Sequence, residues 1–359
     1  MASTLLVGTR KGLFTYRKNG AGWHAGPPDF LAGPVTSVLK DPRDGTIYVA
    51  LSHGHFGCKF HRSDDDGATW TEFPAPAYPV VEGDDKGAAL DMIWSMVPGG
   101  PDQPGLIWAG TLPGGLFRSD NRGETWGLVS SLWDREERAK WFGGGYDHPG
   151  IHSICVDPRD SAKLTLGVSC GGVWKSDNTG ATWRQAGQGL RSDYLPPDLA
   201  YDPVSQDPHY IAASANHPDR IWCQHHNGIF VSSDAGETFA EIRDVKPSVF
   251  GFGVAAHPDD PDTAWFAPAQ KDEFRVPVDG KMVVTRTRDG GKTFESLDKG
   301  LPQLASYDLI YRHALAVNGD GRQLAMGSTT GNLWLSENGG DAWVQLSGHL
   351  PPIAQVAFV

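Results

Sequence analysis

The chain has 359 residues, a formal net charge of −12 at pH 7 and 39% hydrophobic residues, which is enough apolar material for a sizeable core. An acidic chain without a basic stripe argues against a nucleic-acid partner, and no apolar run approaches the length that spans a membrane. The first residues lack the pattern of a signal peptide and the four cysteines lack paired spacing, so we expect a cytoplasmic protein.

Short strands of alternating or continuous apolar character follow one another along the whole chain. The first set reads "TLLVGT" (4–9), "GLFTYRK" (12–18) and "GWHAG" (22–26), with no strand before it. Six longer sets follow, each with four strands that we label A to D; in the fourth set of the chain they are "IHSICVDP", "LTLGVS", "GVWKSD" and "TWRQAG". One further strand, "IAQVAFV" (353–359), ends the chain without a partner in its own set.

Between strands C and D an eight-residue pattern recurs, Ser/Thr-x-Asp/Asn-x-Gly-x-x-Trp/Phe. We call these segments the repeat turns; they occupy 63–70, 119–126, 176–183, 232–239, 287–294 and 336–343. The Asp or Asn side chain can hydrogen-bond the backbone of its own turn, the glycine accepts a positive φ, and the aromatic residue anchors the next strand. We therefore interpret the pattern as a hairpin turn and not as an active site.

A period of about 50 residues is typical of stacked units such as propeller blades. The sequence predicts an all-β protein, a seven-bladed β-propeller of four-stranded antiparallel blades. In this arrangement the ring is closed by the C-terminal strand, which completes the first blade and removes an exposed edge. We predict a single domain over 1–359, with blades at about 353–359 plus 1–30, 31–76, 91–133, 150–190, 207–243, 250–301 and 311–350.

The repeat turns resemble the Asp box, or BNR repeat, of sialidases and other propeller glycosidases. Over its whole length the chain is similar to the bacterial BNR/Asp-box repeat proteins, a sialidase-like, glycosyl hydrolase-like group with WD40/YVTN/BNR-like repeats. Besides the repeat turns, "VGTRKGLF", "HGHFGCKFHRSDDDGATW", "FGGGYDHPGIHSI" and "VVTRTRDGG" carry this resemblance. A true sialidase would show six blades, an early Phe/Tyr-Arg-Ile-Pro motif and three spaced arginines. Here the nearest match, "FRVP" (274–277), comes in the sixth blade, so sialidase activity itself is not expected.

The loops fall into two groups, and only one of them is irregular. The A–B turns and the repeat turns are uniform, whereas the B–C loops and D–A connections are rich in His, Arg, Lys, Glu and aromatic residues. Since a rigid scaffold lets loops carry chemistry, we expect the site there, at the mouth of the central channel. We call these segments the variable loops: 9–12, 52–57, 111–115, 169–172, 224–228, 268–280 and 328–331 between B and C, and 81–91, 131–152, 191–209 and 306–313 between D and A.

Histidines from several variable loops could hold Zn²⁺ or a similar divalent metal ion. His152 and His313 fall at the start of strand A, a position that Trp94 and Phe252 share in other blades. No HxxH or HExxH spacing specifies a ligand set, so the alternative, histidines that hydrogen-bond loop carbonyls, stays open. The candidate metal ligands are His55, His152, His225, His226 and His313.

Charged and aromatic residues of the same loops are candidates for acid–base chemistry and ligand binding. A carboxylate pair could serve a glycosidase, whereas a Tyr or His base beside an arginine could serve a polysaccharide lyase. The arginines and lysines would suit an anionic ligand, with interblade ion pairs as the alternative role. The catalytic candidates are Glu273, Asp147, Tyr146, Arg275, Arg312 and Tyr311, and the ligand-binding candidates are Arg10, Lys11, Lys271, Trp94 and Gln224.

Two functional hypotheses follow. The first is an enzyme that acts on a small or carbohydrate-like anion by hydrolysis or elimination, with or without a metal ion. The second is a non-catalytic propeller that binds a protein, peptide or metabolite on the same loops. A concave cluster of charges and histidines favours the enzyme, and a flat face of Trp133, Trp141, Phe142 and Tyr194 favours docking. We expect the enzyme, with a small substrate because of the expected cytoplasmic location.

Overall fold

The computed structural model describes residues 3–20, 22–80 and 87–359, and within them it contains seven four-stranded antiparallel sheets. Each sheet is one blade, so the predicted seven-bladed β-propeller is confirmed. Among these residues no helix is both long and apolar enough to cross a membrane. The first six residues of the connection at 81–91 lie outside the described residues.

The strands, numbered in chain order, are short and follow the predicted A to D pattern. They are β1 (Thr4–Thr9), β2 (Gly12–Asn19), β3 (Gly22–Ala25), β4 (Val35–Lys40), β5 (Ile47–Ser52), β6 (Cys58–Ser63), β7 (Thr71–Phe73), β8 (Met92–Pro98), β9 (Ile107–Leu112), β10 (Leu116–Ser119), β11 (Gly127–Leu128), β12 (Gly150–Val156), β13 (Leu164–Ser169), β14 (Gly172–Ser176), β15 (Arg184–Ala186), β16 (Pro208–Ser214), β17 (His217–His225), β18 (Gly228–Ser232), β19 (Ala240–Ile242), β20 (Gly251–Ala256), β21 (Ala264–Pro268), β22 (Val284–Thr287), β23 (Glu295–Leu297), β24 (Leu315–Val317), β25 (Leu324–Gly327), β26 (Leu333–Ser336), β27 (Val344–Ser347) and β28 (Ile353–Phe358). The helical segments are α1 (Ser130–Trp133) and five 3₁₀ turns, Gly54–Phe56, Glu136–Lys140, Pro203–Ser205, Val278–Gly280 and Arg312–Ala314.

The first blade is built from both ends of the chain. Its strand order is β28–β1–β2–β3, and β28 runs antiparallel to β1 with Val7 opposite Val356. The other six blades each use four consecutive strands, from β4–β7 to β24–β27. The C-terminal strand therefore completes the first blade, as the unpartnered strand of the sequence predicted.

Contacts between Cα atoms group the blades into two compact units. The first unit comprises the chain up to residue 32, 187–201 and 208–359, and it holds the first, fifth, sixth and seventh blades. The second unit comprises 33–186 and 202–207, and it holds the second, third and fourth blades. The prediction of one domain over 1–359 stays a prediction.

Buried aromatic residues at equivalent strand positions form the cores of both units. Trp222 and Trp265 on the second strands of the fifth and sixth blades are at most 2% exposed, as is Trp108 on the second strand of the third. Strand β13, with the sequence LTLGVS, is buried along its whole length, the small polar residues as well as the leucines and the valine. Burying one such large side chain contributes about 2–3 kcal/mol, so the B and C strands carry most of the hydrophobic stabilisation.

The repeat turns are hydrogen-bonded from within. In the first of them Ser63 Oγ accepts a hydrogen bond from the Gly67 amide at 2.8 Å, and Asp65 Oδ1 accepts one from the Thr69 amide at 2.8 Å. The glycine has φ +86°, a left-handed value that favours glycine. The corresponding amide-to-hydroxyl bond is present in each of the six copies. These polar residues are consumed in holding the turn, which confirms the structural interpretation of the pattern.

Candidate functional site

The first unit gathers polar and aromatic side chains around Phe252. The imidazole of His209 stacks on the Phe252 ring with centroids 4.3 Å apart and planes 12° from parallel, and the Tyr311 ring approaches edge-on at 5.0 Å. Both His209 and Phe252 are 2% exposed. We define the Phe252 cluster as Tyr194, His209, His226, Phe250, Phe252, Arg275, Tyr311 and Arg312.

Local breaks in strand pairing direct the central residues of this cluster. The register between β16 and β17 shifts at His209, and the register between β20 and β21 shifts between Gly251 and Val254, next to Phe252. Shifts of this kind re-aim a side chain out of the regular alternation. The same shift occurs in the second unit at Trp94 and at His152. The start of strand A is thus a recurrent position from which the fold projects a residue.

Two arginines contact the central ring of the cluster. The guanidinium carbons of Arg275 and Arg312 lie 5.3 and 5.4 Å from the Phe252 centroid, within cation–π range. Arg275 Nε also donates to the carboxylate of Asp272 at 3.1 Å. Burial alone would lower the pKa of Arg275, but hydrogen bonds to Asp272 and Tyr311 outweigh it and raise the pKa. The cluster therefore carries fixed positive charge within an acidic protein.

Two histidines of the Phe252 cluster, His209 and His226, contact each other. The His226 ring is 5.3 Å from His209 and 5.1 Å from Tyr194, in edge-to-face geometry. His209 Nδ1 lies 2.7 Å from the carbonyl oxygen of Gly251, so this nitrogen carries the proton and donates it. Ring nitrogens of the two histidines lie within 4.8 Å of each other. Imidazoles in this arrangement can move a proton or bind a divalent metal ion.

The loop at 268–280 supplies the predicted carboxylate. Glu273 is exposed and pairs with Lys271, whose Nζ lies 2.7 Å from its carboxylate and 4.9 Å from the Phe274 ring.

A second acidic residue of the first unit, Asp308, is buried and accepts hydrogen bonds from Asn332 at 2.7 Å and Ser306 at 2.6 Å. Burial raises the pKa of Asp308, but these hydrogen bonds outweigh it and lower the pKa.. Asp308 is thus committed to joining two loops.

Two further predicted residues of the first unit hold the turn between β17 and β18. The Gln224 amide donates to the carbonyl of Val249 at 2.9 Å and is 1% exposed. His225 Nδ1 accepts a hydrogen bond from the Asn227 amide at 3.1 Å, and its ring packs edge-on against Phe230 at 5.2 Å. These contacts match the alternative interpretation, histidine and amide side chains that support loops. The ligand roles proposed for them stay predictions.

The remaining candidates of the first unit lie apart from these contacts. Arg10 and Lys11 are exposed in the turn between β1 and β2, where their amides bond to Pro352 and to Thr9. His313 belongs to the 3₁₀ turn Arg312–Ala314, and its ring meets Tyr210 edge-on at 5.1 Å. The structure therefore brings together Arg275, Tyr311, Arg312 and His226 of the predicted set.

In the second unit the predicted residues meet around Trp94. Its ring lies 5.2 Å from Tyr146 and 5.4 Å from His152, and His152 Nδ1 is 2.8 Å from the hydroxyl of Ser153. Tyr146 is 47% exposed, whereas Trp94 and His152 are buried. Asp147 follows Tyr146 and is exposed to solvent. His55 is also exposed and packs on Phe56 at 3.8 Å.

A buried carboxylate of the second unit was not recognised from the sequence. Asp207 is 5% exposed and accepts hydrogen bonds from the Cys170 amide at 3.0 Å and the Ser169 hydroxyl at 3.4 Å. Cys170 has φ +50°, a strained value for a residue with a side chain. The signal was weak because Asp207 stands in a long irregular connection with no repeat to align it.

The second unit also contains an open groove of about 640 Å³ between its third and fourth blades. Its polar lining residues belong to two repeat turns and are bonded to each other; Asn121, for example, donates to Thr125 at 2.9 Å and Asn178 to Thr182 at 2.8 Å. The variable loops contribute only part of its wall. We assign no chemistry to this groove, because its polar groups already hold the turns.

Comparisons with known proteins find xyloglucanases among the relatives of the chain. No protein-family model matches the chain. It is 25% identical over 354 residues to a protein of Neosartorya fischeri named "Probable oligoxyloglucan-reducing end-specific xyloglucanase", covering 89% of this chain and 40% of that one. It is 23% identical over 357 residues to the oligoxyloglucan-reducing end-specific xyloglucanase of Emericella nidulans, covering 92% and 38%. The chain thus spans about two fifths of the length of these relatives.

Among solved structures, the chain is similar to the GH74 xyloglucanase from Xanthomonas campestris. The TM-score is 0.66 at 19% identity, over 100% of this chain and 52% of that chain. It is also similar to YCF48 bound to D1 peptide, with a TM-score of 0.53 at 13% identity over 94% and 92%. At these identities the likeness supports the fold alone, and one of the two neighbours is a peptide complex.

Proposed function

We propose that the chain is a glycosidase-like hydrolase that acts on an oligosaccharide, with its site on the variable loops. The observation that carries the proposal is the Phe252 cluster, in which Arg275, Tyr311, Arg312 and His226 meet on aromatic walls. Aromatic rings suit the apolar faces of sugars, and fixed cations suit oxygen-rich or anionic groups. The similarity to xyloglucanases over most of the chain supports the same substrate class.

In this proposal Glu273 serves as the acid or base carboxylate. It lies on the loop that also carries Arg275. A glycosidase carboxylate protonates the leaving oxygen or activates the attacking water. The arginines would then hold the substrate, and Tyr311 and His226 would orient its hydroxyl groups.

A second reaction, elimination, is favoured by one contact. The Tyr311 hydroxyl is hydrogen-bonded to Arg275, so a candidate base and a fixed cation lie side by side. In that case the protein would act on a carboxylated sugar and Arg312 would hold the carboxylate. Hydrolysis adds water to the cleaved bond, whereas elimination leaves a double bond in one product, so product analysis separates the two reactions.

The test is product analysis by mass spectrometry on a panel of xyloglucan and acidic oligosaccharides. We expect cleavage with addition of water by the native protein, and a loss of about a hundredfold or more in Glu273→Gln. Asp298→Asn, an exposed carboxylate outside the variable loops, is the matched control and should retain full activity. Binding of oligosaccharides without any cleavage would contradict the hydrolase proposal and support a non-catalytic propeller.

A further inference from the structure

In the proposed reaction His226 only orients the substrate, and His209 has no part. We propose that His209 and His226 bind a divalent transition-metal ion, with Zn²⁺ as the best-matched ion. Imidazole nitrogen is a preferred ligand of zinc, and ring nitrogens of these residues lie within 4.8 Å of each other. The pair differs from the set that the sequence suggested, since His209 joins it and His225 uses its Nδ1 to accept from Asn227.

The surroundings of His209 orient it as a metal ligand. Its Nδ1–H donates to the Gly251 carbonyl at 2.7 Å, which directs Nε2 to the opposite side of the ring. Metal-binding histidines usually donate their second nitrogen to a carbonyl or carboxylate in this way. The flat stacking on Phe252 at 4.3 Å further restricts rotation of the ring. The His209 side chain is therefore already held in one orientation, so binding an ion costs little of its conformational entropy.

The distance between the histidines is compatible with one shared ion. Zinc–nitrogen bonds of about 2.1 Å place two ligand nitrogens about 3.4 Å apart in tetrahedral geometry. The upper bound of 4.8 Å therefore leaves at most about 1.4 Å to close, which a small side-chain rotation supplies. His226 is only partly buried and can make this movement, whereas His209 is fixed.

His209 and His226 fill two of the four positions of a tetrahedral ion, and the other positions remain for further ligands such as water or a ligand oxygen. Catalytic zinc sites keep such an open position, whereas structural sites are closed by four protein ligands. The guanidinium groups of Arg275 and Arg312 on the neighbouring Phe252 ring lower the affinity for a cation. We therefore expect a dissociation constant of about micromolar, weaker than that of a closed structural site.

The role of the ion, but not its binding, rests on the proposed function. At this position a bound ion would supply a polarised water or hold a sugar oxygen next to Arg275 and Tyr311. Metal binding is measured without any substrate, so its result is independent of whether the protein cleaves oligosaccharides.

The experiment is calorimetric titration of the chelator-treated protein with Zn²⁺, together with the visible spectrum of its Co²⁺ form. We expect one equivalent to bind, and at least a tenfold weaker affinity in His226→Ala and in His209→Gln. The control is His349→Ala, an exposed histidine of the first unit that lies outside the cluster. Thermal unfolding of each variant checks that the buried His209→Gln protein is folded, and the partly exposed His226→Ala tests the site if it is not.

Loss of affinity in both cluster variants, with native affinity in His349→Ala, supports the site. Equal affinity in His226→Ala and the native protein overturns it, as does the absence of stoichiometric Zn²⁺ binding by the native protein. If metal binds as proposed but no oligosaccharide is cleaved, the metal site stands and the hydrolase does not. If the metal-free protein cleaves oligosaccharides and no metal binds, the hydrolase proposal is supported and the metal site is overturned.

Discussion

At the scale of single residues, the repeat turns show how a few atoms account for a recurrent sequence pattern. Gly123 has φ +81°, and a Cβ built on it would lie 2.3 Å from a ring carbon of Phe60, which is fully buried. Gly45 has nearly the same φ, +82°, with nothing within 4 Å of a built Cβ. A substitution at Gly45 therefore measures the cost of the backbone conformation alone, and a substitution at Gly123 measures that cost plus the steric conflict with Phe60.

We predict that Gly123→Ala destabilises the protein by about 3 kcal/mol, and Gly45→Ala by about 1 kcal/mol. The shared part is the left-handed backbone, and the excess is the conflict with Phe60. Urea unfolding of both variants beside the native protein measures the difference. Equal destabilisation would mean that the core yields at Phe60 and that packing does not demand glycine there.

A second prediction at this scale concerns the ion pair of Glu241. The hydrogen bond from Arg191, at 2.8 Å, lowers the pKa of Glu241 to about 2, with Arg243 adding to the effect. Because the folded pKa is depressed, the stabilisation is complete above the unfolded value, near 4.5, and is lost as pH falls toward 2.

We expect Glu241→Gln to cost about 1–2 kcal/mol at pH 7 after solvent screening. The difference from the native protein should shrink at pH 3.5 and approach zero near pH 2. Unfolding in urea at pH 7, 5 and 3.5 provides the profile, with Asp298→Asn, which changes an exposed carboxylate, as the control. A constant difference across this range would show that Glu241 acts by packing and not by its charge.

At the scale of elements, strands and turns were largely predictable from the sequence, because their signals are local and repeated. The alternating Leu164, Leu166 and Val168 of β13 follow from the two-residue period of a strand. The Gly and Asp positions of the repeat turns follow from turn geometry. The unpartnered strand 353–359 implied its pairing with β1, since nothing else in the pattern was incomplete.

The site was less predictable, because its geometry depends on departures from regular pairing. The register shift at His209 puts this residue at the position that was recognised for Trp94, His152 and Phe252, yet the long connection before it obscured the alignment. Gln224 bonds to a backbone carbonyl and His225 to a backbone amide, and no side-chain pattern reveals either partner.

The closing strand carries a prediction of its own. Deleting residues 353–359 removes the buried Ile353 and Val356 from the core of the first unit and exposes the edge of β1. At about 2 kcal/mol for each buried side chain, we expect a loss of at least 4 kcal/mol and concentration-dependent aggregation through the free edge.

Thermal unfolding and light scattering measure these two effects. Val359→Ala is the control, since Val359 lies beyond β28 and the substitution keeps the amide that donates to Thr4; it should leave both nearly unchanged. An unaltered unfolding temperature after the longer deletion would mean that β28 adds no stability to the first blade.

At the scale of the whole molecule, the repeat turns have a structural role, and the variable loops carry the proposed chemistry. The repeat turns use their polar groups internally, while the Phe252 cluster collects cations, imidazoles and aromatic rings from 191–209, 224–228, 268–280 and 306–313. Substrate should therefore contact the variable loops and leave the repeat turns unaffected. This division is the central claim, since it locates the proposed chemistry.

Hydrogen–deuterium exchange with and without a bound oligosaccharide most directly tests the claim that substrate contacts the variable loops. We predict slower exchange of backbone amides in 268–280 and 306–313, and unchanged exchange in the six repeat turns. The Arg275→Gln protein should show weaker protection at the same oligosaccharide concentration. Protection confined to the repeat turns, or to the groove at 118–131 and 178–181, would contradict the account and place the binding site elsewhere on the propeller.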